Sequence, residues 1–314
     1  MKPNNSIHPL HAIAVAVAVL LFVGAGTATS RADILYVANG GANSIERFTS
    51  AGVGATFANI GLSGPTGLAF DIAGNLYSAN IGNNTIQKFT LGGFRSVFAG
   101  TGFTPIGLAF DIGGNLFVAN QDDNTIQKFT PGGVGSVFAN SGLNAPQGLA
   151  FDSTGNLYVA NKGNSTIVKF TPGGIGSFFN KTALNAPSGL AFDSVGSLYV
   201  ANTGANTIVK FTPSGVGAVF ASSGLNTPQG IAFDTSGNLY AANIGDNTIE
   251  KFTSGGVGSV FAATRLQSPT FLAFTNDAGV PLPLANQTPE PTTLALAAIG
   301  SLALLSRNTR RRRN

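Results

Sequence analysis

Residues Gly148 to Phe179 read GLAFDSTGNLYVANKGNSTIVKFTPGGIGSFF, and the chain carries this unit six times. Its LYVAN segment recurs at Leu35, Leu76, Leu116, Leu157, Leu198 and Leu239, at spacings of 41, 40, 41, 41 and 41 residues. Each unit holds four short β-rich segments, here named a (GLAFD), b (LYVAN), c (TIVKFT) and d (SVFA). A period of about 40 residues built from four such segments predicts a propeller with one four-stranded antiparallel sheet per repeat. Gly, Asn and Pro recur too often within it for an amphipathic helix to form. In the a-b link D-x-x-G-N, the Asp is suited to cap a turn and the Gly to take positive φ. Asn and Gly form the b-c hairpin, T-P-G-G the c-d turn, and a longer d-a link crosses to the next blade.

The chain enters this pattern on segment b at Leu35 and leaves it on segment a at Phe271 to Thr275. The last a segment is therefore expected to join the first blade and close a six-bladed ring. Asp71, Asp111, Asp152, Asp193 and Asp234 end five a segments, whereas the sixth has Thr275 and no a-b turn to cap. These aspartates are read as turn residues. Eighteen of the 24 Phe fill three repeat positions, and Tyr36, Tyr77, Phe117, Tyr158, Tyr199 and Tyr240 fill a fourth, which predicts aromatic packing between blades.

The two ends stand apart from the repeats. Residues 1–32 combine Lys2, an apolar run from Ala12 to Val23 and a small-residue stretch ending at Ala32, the pattern of a cleaved signal peptide. Residues 33–279 form the propeller in this reading and 280–288 a linker. Residues 289–314 begin with Pro289, Glu290 and Pro291, continue through an apolar segment from Thr292 to Ser306, and end on Arg307, Arg310, Arg311, Arg312 and Arg313. The apolar segment is short for a bilayer span, and the arginines hold its end on the cytoplasmic side.

That C-terminal order resembles the PEP-CTERM sorting signal of bacterial envelope proteins. The resemblance implies recognition by an exosortase, cleavage near Pro289, and delivery to the cell surface or an extracellular matrix; signal peptidase is the partner implied by the N-terminus. The blades, with P-x-G-L-A-F-D-x-x-G-N-L-Y-V-A-N, resemble NHL repeats and the related gluconolactonase-like and virginiamycin lyase-like propellers. One departure recurs in every copy: Asn39, Asn80, Asn120, Asn161, Asn202 and Asn243 stand where NHL repeats usually have Asp.

The chemistry available is narrow. The chain lacks Cys, which excludes thiolate catalysis and Cys-based metal sites. Its only histidines, His8 and His11, precede residue 33, so the domain has no His base or ligand. The formal charge of +4 belongs to the two ends, because residues 33–288 hold 10 basic and 12 acidic residues. A nucleic-acid role therefore loses its support. Glu46 and Glu250 lie within segment c, away from the axis, and the Asp122-Asp123-Asn124 hairpin offers weak calcium binding only as an alternative to a solvated turn. Arg47, Lys88, Lys128, Lys169, Lys210 and Lys251 share one position in segment c and are read as solubilising, with a basic ring for anionic polysaccharide as a second option.

The residue inside P-x-G does vary: Thr66, Ile106, Gln147, Ser188, Gln229 and Thr270. Their amides and hydroxyls are expected around a central opening, as candidate ligand contacts for a glycan or a partner loop. The sequence thus predicts an exported, non-catalytic envelope or matrix propeller without a cofactor. Its alternative is a lactonase- or lyase-like enzyme with a divalent cation in the channel.

Overall fold

The computed structural model describes residues 33–90 and 92–276. They form six four-stranded antiparallel sheets in blade order a-b-c-d. The fourth blade is typical: a spans Pro146–Phe151, b Leu157–Asn161, c Thr166–Phe170 and d Gly176–Asn180. Strand a begins at the proline and ends at the phenylalanine, leaving the following Asp in the turn. The signal peptide, the linker and the sorting segment fall outside the described residues.

Ring closure follows the expected pattern. The last strand, Pro269–Asn276, pairs antiparallel with the first, Asp33–Asn39, bringing Asp33 opposite Asn276 and Leu35 opposite Phe274. The first blade therefore combines both ends of the described chain and has the same four strands as the others. The junction is also packed like the others. Tyr158 meets Phe179 of its own blade and Phe192 of the next edge-on, each at 5.1 Å, and Phe179 meets Phe211 at 5.9 Å. Across the closure, Tyr240 meets Phe261 and Phe274 at 5.0 Å, and Phe261 meets Phe48 at 6.3 Å. Each edge-on pair contributes about 0.5–1.5 kcal/mol beyond its buried area.

The turns realise the predicted chemistry. Asp152 Oδ1 accepts from the backbone N–H groups of Thr154 and Asn156, and Gly155 takes φ of +81°. At the b-c hairpins, Asn43, Asn84, Asn124, Asn206 and Asn247 adopt left-handed backbone, which Asn tolerates better than branched residues. Because strands alternate in direction, a-b and c-d turns share one face. In the fourth blade, for instance, Gly155 of the a-b turn lies beside Pro172 of the c-d turn.

Candidate functional site

The recurrent Asn at the end of strand b is buried in every blade and, in all but blade 3, pins the d-a crossover. Asn161 Oδ1 accepts from the Asn144 N–H at 3.1 Å, while Nδ2 donates to the Gly142 carbonyl at 2.9 Å and to Thr166 Oγ1 at 3.2 Å. Asn80, Asn202 and Asn243 repeat this arrangement, and Asn39 does so at the ring closure. Asn120 keeps only the bond to Thr125, because its d-a link follows another path. An ionised Asp could accept but not donate to a carbonyl. The departure from the NHL pattern is thus explained by a crossover that needs an amide.

The P-x-G residues lie where the innermost strands come closest to the axis. A methyl group on Gly107 would stand 2.0 Å from the Gln147 carbonyl oxygen, and one on Gly148 would stand 2.0 Å from that of Ser188. Glycine is therefore what lets neighbouring blades meet there. Thr66, Ile106, Gln147, Ser188 and Thr270 are buried, and Gln229 is half-buried. The Thr66 hydroxyl lies 3.2 Å from the Pro105 carbonyl, and that of Thr270 lies 3.3 Å from the Pro65 carbonyl, each in the next blade. Gln147 Nε2 donates to Gln121 Oε1 at 2.7 Å. Thr66, Thr270 and Gln147 Nε2 thus bond between blades, whereas Gln147 Oε1 and Ser188 Oγ are buried without a hydrogen-bond partner.

The open volume lies at the other end. A cavity of about 400 Å³ is lined by the Leu, Ala and Phe side chains of all six innermost strands, and Ile72 and Ile112 sit at its rim. Its walls are mainly apolar, with Asp71 and Asp111 also among the lining residues.

The repeated aspartates and lysines, read separately from the sequence, meet in space. Lys169 Nζ lies 3.5 Å from Asp152 Oδ2 and 5.2 Å from the Tyr158 ring centroid, and blades 2, 3, 5 and 6 repeat this geometry, with Phe117 as the ring in blade 3. The Tyr77 phenol, with help from Asp71, raises the Lys88 ammonium above its ordinary range. Burial, reinforced by Asp234, raises the Tyr240 phenol. A basic ring is not what these lysines present, since each carries its own counter-ion.

Elsewhere carboxylates are engaged locally. The Asp123 oxygens accept from Thr125, the Asp122 carboxylate accepts from Thr104, and Asn124 Oδ1 accepts from the Ala145 N–H. Among the described residues no three His, Asp or Glu side chains gather to hold a metal ion. Glu46 is bound by Ser44, Thr56 and Arg265, whose Nε lies 3.1 Å away. Glu250 occupies the matching position in blade 6, where burial, with Asp246 nearby, raises its carboxyl pKa.

Comparison with known proteins supports this architecture. Residues 143–170 match the NHL repeat, and residues 287–312 match the PEP-CTERM protein-sorting motif. No curated protein matches the chain in sequence. Among solved structures, a chain of a Nidogen/Laminin complex is similar at 22% identity and a TM-score of 0.70, over 77% of this chain and 98% of that one. Virginiamycin B lyase from Staphylococcus aureus is similar at 20% identity and a TM-score of 0.57, over 68% of this chain and 77% of that one. The calcium-binding protein regucalcin from Agrobacterium tumefaciens is similar at 18% and 0.57, over 66% and 76%. At such identities the likeness is one of fold. The chain is an NHL-like six-bladed propeller, and its sorting motif marks an exported protein handled at the cell envelope or surface.

Proposed function

We propose that this propeller is a non-catalytic scaffold or binding module of the bacterial envelope or extracellular matrix, released by an exosortase near Pro289. One observation carries the reading: a PEP-CTERM motif follows a closed ring whose repeated ionisable groups bond within their own blades. The b-c and d-a loops expose polar side chains, among them Asn164 and Lys181, as candidate partner contacts. These are neutral or singly charged hydrogen-bonding groups, suited to a glycan or a protein loop.

Mass spectrometry of the protein recovered from the envelope tests the processing, with a C-terminus near Pro289 expected; an intact arginine tail refutes it. Binding of the exported protein to envelope polysaccharide fractions tests the partner class. Asn164→Ala with Lys181→Ala is expected to weaken binding several-fold, and unchanged affinity or no binding in any fraction refutes the loop assignment.

A further inference from the structure

The face that carries the a-b and c-d turns is apolar in a way that folding does not require. At the tip of each c-d turn stands one residue, Val53, Phe94, Val134, Ile175, Val216 or Val257, and these six are 67–78% exposed. The turn itself is made by other groups. In the fourth blade, the Ile175 N–H donates to Thr171 Oγ1, the Thr171 N–H donates to the Ile175 carbonyl, and Gly174 takes the positive φ. The tip side chain leaves the turn and meets water, yet all six copies keep it aliphatic or aromatic. On the same face the a-b turns add Ile72, Ile112 and Val195, each more than 70% exposed, and Ile72 and Ile112 also line the cavity. On the opposite face, only Ile60, Ile81 and Phe103 are large exposed apolar residues among those described. Val97, Val137, Phe178, Val219 and Val260 are exposed on the outer strands d, but of the two turn faces this one carries nine such residues against three, which marks it as a contact surface.

The chain itself indicates what that surface meets. Asn276 and Asp33 are partners in the first blade, and Asp33 Oδ2 accepts from the Thr235 N–H of an a-b turn, so both ends of the described chain leave on this face. Fifteen residues separate Asn276 from the apolar segment that begins at Thr292. Fully extended, they span at most about 55 Å, so the apolar face stays close to any membrane that holds the segment. The lysines of this face are paired with aspartates at 3.3–3.7 Å, which leaves no excess charge to repel lipid.

We propose that the a-b and c-d turn face rests on the phospholipid bilayer, with its c-d tips in the interfacial region, while the sorting segment is still attached. The contact would set the blades' axis along the membrane normal and present the polar b-c and d-a loops outward. This goes beyond the scaffold reading, since it concerns the face opposite to the partner loops and the stage before cleavage.

The chain contains no Trp, so single-Trp variants report one position each. Phe94→Trp and Ile175→Trp place the reporter at c-d tips, and Asn164→Trp places it on the opposite face. Each full-length variant is mixed with phosphatidylethanolamine/phosphatidylglycerol vesicles, with and without brominated acyl chains. Several-fold stronger quenching at positions 94 and 175 than at 164 is expected, with a blue-shifted emission at those two. Equal quenching at the three positions, or no quenching while the protein co-floats with vesicles, overturns the proposal. So does failure to bind vesicles, or the same blue shift in vesicle-free protein, which would assign the face to a second copy of the chain. Circular dichroism of each variant confirms the fold, and Val134→Trp replaces any variant that fails it.

Discussion

Asn161 holds the backbone of Asn144 through its Oδ1 at 3.1 Å while its Nδ2 reaches back to the Gly142 carbonyl. One amide thus satisfies both polarities of a crossover that no ladder hydrogen bond serves. Asn161→Asp keeps the shape, loses the donor and sets a buried charge against a carbonyl. The cost is expected to be about 2–4 kcal/mol, read from the urea midpoint at pH 7, with the blade count unchanged. A midpoint equal to the parent's would show that the crossover does not depend on the amide.

Gly148 has the tightest approach to a neighbouring blade, shared with Gly107. Gly148→Ala must displace the Ser188 carbonyl from 2.0 Å to ordinary contact, which separates two innermost strands. A loss of about 3 kcal/mol or more is expected. Gly173→Ala, in a c-d turn whose nearest neighbour is Thr171 Oγ1 at 3.9 Å, should leave thermal unfolding nearly unchanged. Similar effects from the two substitutions would remove the steric account.

The Asp and Lys of one blade contribute unequally. Asp152→Ala removes the acceptor for two backbone N–H groups and for Asn156 Nδ2, at an expected cost of about 1–2 kcal/mol. Lys169→Met removes a part-exposed ion pair and an exposed cation contact with the Tyr158 ring, and should cost about 1 kcal/mol or less. Burial opposes ionisation of Asp152, but the bonds from Asn156 and Thr154 outweigh it and lower its pKa. Its contribution is therefore present above the unfolded carboxyl pKa and lost as pH falls through the lower folded value. Acid titration of unfolding in the parent and in Asp152→Ala checks the sign; the variant should lose less stability on acidification.

Glu250 provides the opposite case. Its raised pKa means that the folded state prefers the protonated carboxyl, so stability falls as pH rises from the unfolded value through the folded one. Glu250→Gln is expected to raise the thermal midpoint at pH 7 and to flatten this fall. Glu46→Gln should instead destabilise, because it leaves Arg265 without its counter-ion. Shifts of the thermal midpoint in the same direction for the two substitutions at pH 7 would overturn the distinction.

Much of the architecture was legible in the chain. The LYVAN period and the Asp and Gly turn positions predict the six sheets, and the b-first, a-last order predicts that the last strand joins the first, whose register the structure then sets. Other relationships join groups that no local pattern links. Lys169 on strand c and Asp152 in the a-b turn are 17 residues apart, meeting only because strand b sets their register with Tyr158 between them. Asn161 is visible as a departure from the NHL pattern, but its meaning depends on a crossover that returns over it. The c-d valines look like ordinary turn residues until their exposure on a single face is seen.

Repeat number, turn chemistry, the absence of Cys, the location of both His before residue 33 and the sorting motif are properties of the linear chain, and the sequence alone determined them. Periodicity and residue type suffice there because each blade folds on local pairings of neighbouring strands. How closely neighbouring blades approach, and which face stays apolar, depended on contacts between residues about 40 apart in the chain. Gly107 and Gly148 let the innermost strands meet at the P-x-G positions, and all six strands together line a largely apolar cavity at the other end.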